Sequence, residues 1–261
     1  MHDDAALYDA EVSAFRDDVP YWESLVDERR PKRLLELACG TGRLLVPLAR
    51  RAVSRDADAR VTGLDISEPM LVRAREVVAA EASIARVVDI VAGDMATFEL
   101  GSTFDLIVLG FNSFSFLTDV EAQLSCLDRV RRHLAPGGAF GIDLIVPQVH
   151  WLAVSERVAP HRLEIDHREP VPGIRRLLRF VTERYDPHRQ IEDDLYTYEI
   201  EKADGTVERR TSDLAWSMIF PQQLELLFRA SGLTVTDRFG DYDRSPFNRR
   251  SRQYVWLARA S

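Results

Sequence analysis

Glu36, Gly40 and Gly42 fall close together in the stretch LLELACGTGRLL at 34–45, and Asp65 and Asp94 end later apolar runs. Two glycines one residue apart allow a backbone to approach a ligand closely. The apolar residues on either side place them between a strand and a helix. The residues after the glycines test two phosphate-binding patterns. A P-loop needs Lys-Ser/Thr after its second glycine, whereas Gly42 is followed by Arg43-Leu44. The dinucleotide fingerprint needs a third glycine three residues on, and that slot holds Leu45. Started at Ala38, the three slots hold Ala38, Gly40 and Arg43. Neither register fits, although a degenerate nicotinamide site stays open.

An acid at Glu36 would repel a pyrophosphate but suits a ligand carrying an ammonium group. Asp65 lies 23 residues after Gly42, where a carboxylate can accept from both ribose hydroxyls, a geometry nicotinamide enzymes also use. Asp94 can accept from an adenine amino group. Ribose, adenine and an amino-acid tail together describe S-adenosylmethionine.

The elements that must carry these residues follow from periodicity. KRLLELA, ARVTGLDI, VVDIVAGD, FDLIVLGF and AFGIDLIVP read as five strands between 32 and 147. RLLVPLARRAV, EPMLVRAREVVAAEAS and VEAQLSCLDRVRRHLAPGG read as helices between them, with Pro47 near a first turn, Ser67 an N-cap and Pro-Gly-Gly a stop. The third gap, MATFELGST, is too short for a helix. Parallel strands with helical crossovers make a doubly wound α/β sheet, whose ligands bind outside the strands' carboxyl ends. The loops at 38–43, 65–70, 94–95 and 110–116 then share one rim.

The first ~30 residues read as helical, with Pro31 breaking the segment. After 148 three strands are expected, RRLLRFVTERYDP, HRQIEDDLYTYEIEKADG and TVERRTSDLAWSMIF, as an antiparallel insertion with turns at Asp186-Pro187 and Asp204-Gly205. The acidic run Glu192-Asp193-Asp194 is expected on a solvated face. PQQLELLFRASGL returns to helix, and TVTDRFGDY with SRQYVWLARA closes the sheet as a strand pair. The chain is thus expected to form one domain: an N-terminal helical cap at 1–30, a core at 32–147, an insertion at 148–219 and a completion of the sheet at 220–261.

Composition narrows the partners. A formal net charge of −8 over 261 residues gives no global attraction to nucleic acid, and the short arginine clusters at 29–33, 129–133 and 248–252 read as solvated faces. Cys39 and Cys126 are the only cysteines, so neither a disulfide framework nor a metal site is expected, and Cys39 reads as a small buried residue. The opening MHDDAALYDAEV has no apolar core, so no leader is expected, nor a membrane span; the location read from this is cytoplasmic.

ELACGTG, GLDISEPML, AGDM and FDLIVLGFNSFSFL, in this order at successive strand ends, resemble the motifs of the class I S-adenosylmethionine-dependent methyltransferases. The resemblance covers most of 32–147, and FPQQLELLFRASGL with the final strands resembles the family's C-terminal ending. It implies an α/β, doubly wound, Rossmann-like seven-stranded sheet with an antiparallel β insertion after strand five. It also implies roles. Glu36, Ala38, Gly40 and Gly42 would surround the methionine part, and Asp65 would bind the ribose. Ile66 and Met70 would pack on the adenine, with Asp94 taking its amino group and the Met95 amide a ring nitrogen. Gly110 and Phe111 would lie beside the methyl group. Tyr8 resembles a tyrosine that closes over the cofactor in small-molecule members. Ala38 departs from the family's usual first glycine, leaving less room for backbone approach.

Methyl transfer from a sulfonium is an in-line displacement that needs alignment and water exclusion more than acid–base chemistry. A neutral amine acceptor needs no strong base, whereas a hydroxyl benefits from one. Asn112 offers a polar group near the methyl, and His150 is the candidate base. Ser113, Trp151, Tyr196, Tyr198, Trp216 and Tyr242 are candidates for acceptor contacts. The GFNSF loop at 110–114 lacks an NPPY-type signature, which favours a nitrogen or oxygen of a small metabolite. A macromolecular acceptor and a nicotinamide-dependent oxidoreductase are the alternatives. The insertion is read as a lid, a dimer surface or both, which leaves a homodimer open.

Overall fold

The computed structural model describes residues 4–12, 14–147 and 161–261. They form two compact units. The larger spans Arg16–Val146 and Ile219–Ser261; the smaller holds the described residues up to Phe15 and from Pro147 to Met218. The helical N-terminal stretch is divided between them: α1 (Ala5–Val12) lies in the smaller unit and α2 (Val19–Arg29) in the larger. Pro20 fits the first turn of α2, which ends where Arg30 turns left-handed at φ 45° ahead of Pro31.

In the larger unit, β1 (Arg33–Leu37), α3 (Leu45–Arg55), β2 (Arg60–Asp65), α4 (Glu68–Ala79), β3 (Val88–Ala92), β4 (Phe104–Leu109), α5 (Val120–His133) and β5 (Leu134–Ile145) occur in that order. After the insertion come the helix α6 (Pro221–Ala230) and the strands β10 (Leu233–Phe239) and β11 (Gln253–Ala260). The seven strands are ordered β10-β11-β5-β4-β1-β2-β3. β3, β2, β1, β4 and β5 are parallel, while β11 runs antiparallel to both β5 and β10. The chain winds outward from β1 to β3 and then returns to β4 on the other side of β1. This reversal puts a crevice at the carboxyl ends of β1 and β4.

Alternation along the buried strands supplies two cores. Leu35, Leu37, Ile107 and Leu109 join Leu127, Phe228 and Trp256 on one face. Leu34, Leu106 and Val108 join Trp22, Leu45 and Leu71 on the other. Gly141 admits the second core's largest ring, since a Cβ there would sit 2.6 Å from Trp22 Cζ3.

Two local expectations change. α5 ends at His133, and Pro-Gly-Gly lies within β5, where the pairing with β4 shifts register between Phe104 and Leu106. Gly137 is left-handed at φ 80° inside that irregularity. Ser67 holds the N-cap position of α4 without a side-chain cap bond; its N–H instead meets Asp65.

The smaller unit is a four-stranded antiparallel sheet, β6 (Arg162–Val171), β7 (Ile174–Asp186), β8 (Ile191–Lys202) and β9 (Val207–Ser217), with α1 packed against β6 and β7. β6 is the strand that periodicity does not reveal. It is an edge strand carrying Arg162, Glu164, Asp166, His167 and Arg168, and charge on an edge blocks further pairing without leaving an apolar stripe. Among the described residues no helix is long and apolar enough to cross a membrane.

Candidate functional site

Glu36 shares the β1 face of Leu34, and its side chain is 5% exposed. Its Oε2 is buried with no hydrogen-bond partner among the described residues. Burial pushes its carboxyl well above the usual range; Arg43 pulls the other way, while Asp18 and Asp65 add to the rise. Beyond β1 the chain turns through three left-handed residues, Ala38 (φ 54°), Gly40 (φ 54°) and Gly42 (φ 87°). The glycines adopt this freely, but at Ala38 it costs roughly 1 kcal/mol. The departure from glycine is therefore a backbone strain as well as an added methyl. Cys39 is buried, and burial pushes its thiol well up, as befits a packing residue rather than a nucleophile.

Asp65 ties two loops together. Its Oδ2 accepts from Gly40 N at 2.8 Å and its Oδ1 from Ser67 N at 2.9 Å. Ile66 beside it is 53% exposed, although isoleucine is a residue usually found inside. Met70, on α4, is buried. Asp94 is half-buried in a tight turn, accepting from Ala96 N at 2.8 Å through Oδ1, and Met95 beside it is half-buried too.

The loop after β4 is held from below. Phe111 and Asn112 are both left-handed, at φ 56° and 58°. Their N–H groups donate to the two carboxylate oxygens of Asp143, at 2.8 and 3.2 Å. Asn112 Oδ1 accepts from Ile145 N and Ser115 Oγ, both at 3.0 Å, and buried Ser113 donates its N–H to Gly110 O at 3.2 Å. Tyr242 hydrogen-bonds Asp143, and the guanidinium of Arg43 lies 4.5 Å from the Phe111 ring centre. Burial raises the Asp143 carboxyl to about 7 against the opposing pull of the Phe111 amide.

Glu36, Ala38, Gly40, Gly42, Asp65, Ile66, Met70, Asp94, Met95, Gly110, Phe111, Asn112 and Ser113 thus all stand at or just beyond the carboxyl ends of β1, β2, β3 and β4, with Tyr242 joining from the β10–β11 connection. Sequence reasoning missed Asp18, Arg43 and Asp143. Asp143 had a signal, a lone acid in the apolar run AFGIDLIVP.

Tyr8, Tyr196, Tyr198 and Trp216 belong to the smaller unit. Tyr196 Oη and Trp216 Nε1 both donate to Asp194 Oδ2, at 2.7 and 3.0 Å, and Tyr198 Oη donates to Glu11 at 3.1 Å. Tyr8 is half-buried on α1. The acidic run corrects an expectation: Asp193 is exposed, but Glu192 and Asp194 are 5% and 4% exposed, because alternation on β8 puts them on the face of Tyr196. His150 and Trp151 lie outside the described residues.

A buried carboxylate oxygen with no donor among the described residues, beside a second carboxylate clamped at a strand end, fits a ligand bearing both an ammonium and a diol. A family model described as "Methyltransferase domain" matches residues 34–138, which contain both. The cypemycin N-terminal methyltransferase of a Streptomyces species is 28% identical over 237 residues, covering 88% of this chain and 85% of that relative. Residues 34–138 match the methyltransferase domain family, and the matches together support a class I S-adenosylmethionine-dependent methyltransferase. Solved methyltransferases share the fold across nearly their whole length. The CcbJ methyltransferase of Streptomyces caelestis is 24% identical with a TM-score of 0.75, covering 95% of this chain and 98% of that one. An amino pentose methyltransferase of Micromonospora echinaspora, solved with S-adenosylmethionine bound, is 22% identical with a TM-score of 0.70, covering 98% and 97%. The methyltransferase is an enzyme and its cofactor is S-adenosylmethionine. The nicotinamide alternative falls with that assignment.

Proposed function

We propose that this methyltransferase methylates an amine nitrogen of a small metabolite. When bound, S-adenosylmethionine supplies an electrophilic methyl on a sulfonium, a leaving group that needs no activation. In this reading Glu36 Oε2 accepts from the cofactor's ammonium, and Asp65 from the ribose hydroxyls. Ile66 and Met70 flank the adenine, Asp94 accepts from its amino group, and the Met95 amide faces a ring nitrogen. Gly110 and Phe111 border the methionine end, with Asn112 and Ser113 next along the loop. The observation that carries the cofactor half of this reading is Glu36, whose buried oxygen lacks a donor among the described residues.

Among relatives whose names give an acceptor, two O-methyltransferases match over about 60% of this chain, whereas those matching over most of both chains favour nitrogen. One is described as an N-terminal methyltransferase and matches over most of both chains; another is an amino pentose methyltransferase matching at 98% and 97% coverage. A neutral amine also needs no strong base to attack a sulfonium methyl. Incubation with S-adenosylmethionine and paired acceptors, each amino sugar or free amine beside its hydroxyl counterpart, tests the proposal by mass spectrometry. Methylated product from the amines alone is expected. Product from the hydroxyl member of each pair would make this an O-methyltransferase.

A further inference from the structure

We infer that Asp143 is a positioning residue for the cofactor site: its buried carboxylate binds the paired left-handed amides of Phe111 and Asn112 and, with Tyr242, sets the conformation of the loop after β4. The inference rests on the reading that this loop borders the methionine end of the cofactor. Successive N–H groups in a turn form a concavity that can hold an anion. Here the anion is internal, with Oδ1 at 2.8 Å from Phe111 N and Oδ2 at 3.2 Å from Asn112 N. Neither residue is a glycine, so the left-handed turn needs this anchor to persist. The fit is close on the other side too, since a Cβ on Gly110 would stand 3.3 Å from Asp143 Oδ1.

The surroundings make the anchor sensitive to pH. Asp143 is 3% exposed on β5. Asp18, the residue before α2, and Tyr21 on α2 face this region, with Glu36 from β1, Arg43 from the loop after β1 and Tyr242 from the β10–β11 connection. Burial and the Asp18 charge raise the Asp143 carboxyl to about 7, while the two amides and Tyr242 oppose the rise. The carboxylate that both amides need is therefore full above pH 7 and lost below it. The loop should be held at alkaline pH and loosened as the pH falls.

The test uses the whole protein, with S-adenosylhomocysteine as probe. Amide exchange at Phe111 and Asn112 is followed by NMR as protection factors from pH 6 to 8.5, for wild type, Asp143→Asn and Tyr242→Phe. Wild-type protection should fall about tenfold per pH unit below the transition. Tyr242→Phe removes a bond that favours the carboxylate, so its transition moves to higher pH. Asp143→Asn should show no transition, and should bind S-adenosylhomocysteine about tenfold more weakly at pH 8 in calorimetry, with a Tm no lower than wild type's. Protection and affinity in Asp143→Asn equal to wild type at every pH would overturn the inference. So would an affinity loss matched by a lowered Tm, which marks a merely structural residue. Wild type failing to bind S-adenosylhomocysteine would instead sink the cofactor-site reading, while the exchange data still decide whether Asp143 holds the loop.

Discussion

The Arg43 guanidinium grips the Asp18 carboxylate with two hydrogen bonds, Nη1 to Oδ1 at 2.8 Å and Nη2 to Oδ2 at 2.6 Å. Their side chains are 6% and 0% exposed, so this is an ion pair taken out of water. It locks the start of α2 to the residue after Gly42. A planar guanidinium matches a carboxylate with two parallel bonds, and lysine cannot reproduce that geometry. Removing one partner strands the other charge, which costs roughly 3–5 kcal/mol. Arg43→Met should therefore lower stability by about that amount in urea titrations, whereas Asp18→Asn with Arg43→Met should recover much of the loss. A double variant no more stable than Arg43→Met would show that the pair is held by packing, not by charge.

Asp65 bears on the cofactor directly. With Gly40 N and Ser67 N already on its two oxygens, its carboxylate is oriented before any ligand arrives. Charge-assisted bonds to two ribose hydroxyls are worth roughly 2–4 kcal/mol together, or about thirtyfold to a thousandfold in affinity. Asp65→Ala should reduce S-adenosylhomocysteine binding by that factor in calorimetry, with the circular dichroism of the sheet retained. Unchanged affinity would remove Asp65 from the site.

Glu36 makes a prediction about protons. Its carboxyl is held well above the usual range, chiefly by burial, so the free protein holds a proton there more readily than an exposed glutamate does. An ammonium brought against Oε2 favours the carboxylate, so cofactor binding should release a proton there. Binding enthalpies measured in buffers of different ionisation enthalpy should reveal the release, and affinity should increase with pH. Glu36→Gln should remove that share of the release and weaken binding about tenfold or more. It should leave thermal stability at pH 7 unchanged or raised, because the amide replaces a group that resists ionisation in place. Equal proton release in wild type and variant would rule out Glu36 as the group that titrates.

How much of this was legible depended on whether the deciding contact was local. The loop after β1 and the acid ending β2 could be read because a strand end, a glycine pair and a carboxylate lie in sequence order. Asp143 could not be given its role, because its partners Phe111 and Asn112 lie more than thirty residues away and meet it only through the β4–β5 pairing. Tyr196 and Tyr198 are candidates for acceptor contacts on sequence alone, although alternating aromatics on a strand more often form its packed face. Their hydroxyls turned out to be taken by Asp194 and Glu11. The N-terminal helices read as one segment because helical periodicity does not say which core each helix joins.

The buried acids of the smaller unit give it a pH response of unusual sign. Glu192 is held above the ordinary carboxylate range, first by burial and then by the neighbouring charge of Asp194, and Glu164 is raised by burial as well. An acid whose folded value is raised binds more protons in the native state than in the unfolded chain. Its favourable contribution is thus full at low pH and declines as the pH climbs beyond the ordinary carboxylate range toward the raised folded value. The smaller unit should therefore lose stability between pH 5 and pH 8, against the usual trend for salt-bridged carboxylates. Exchange protection in β8 and β9, compared at pH 5.5 and pH 8, should fall at the higher pH. Glu192→Gln removes the ionisation while keeping the shape, so it should flatten the response and stabilise these strands at pH 8 by roughly 1–3 kcal/mol. Protection that rises with pH in wild type would mean that Glu192 is ionised at neutral pH and that its neighbours stabilise the charge.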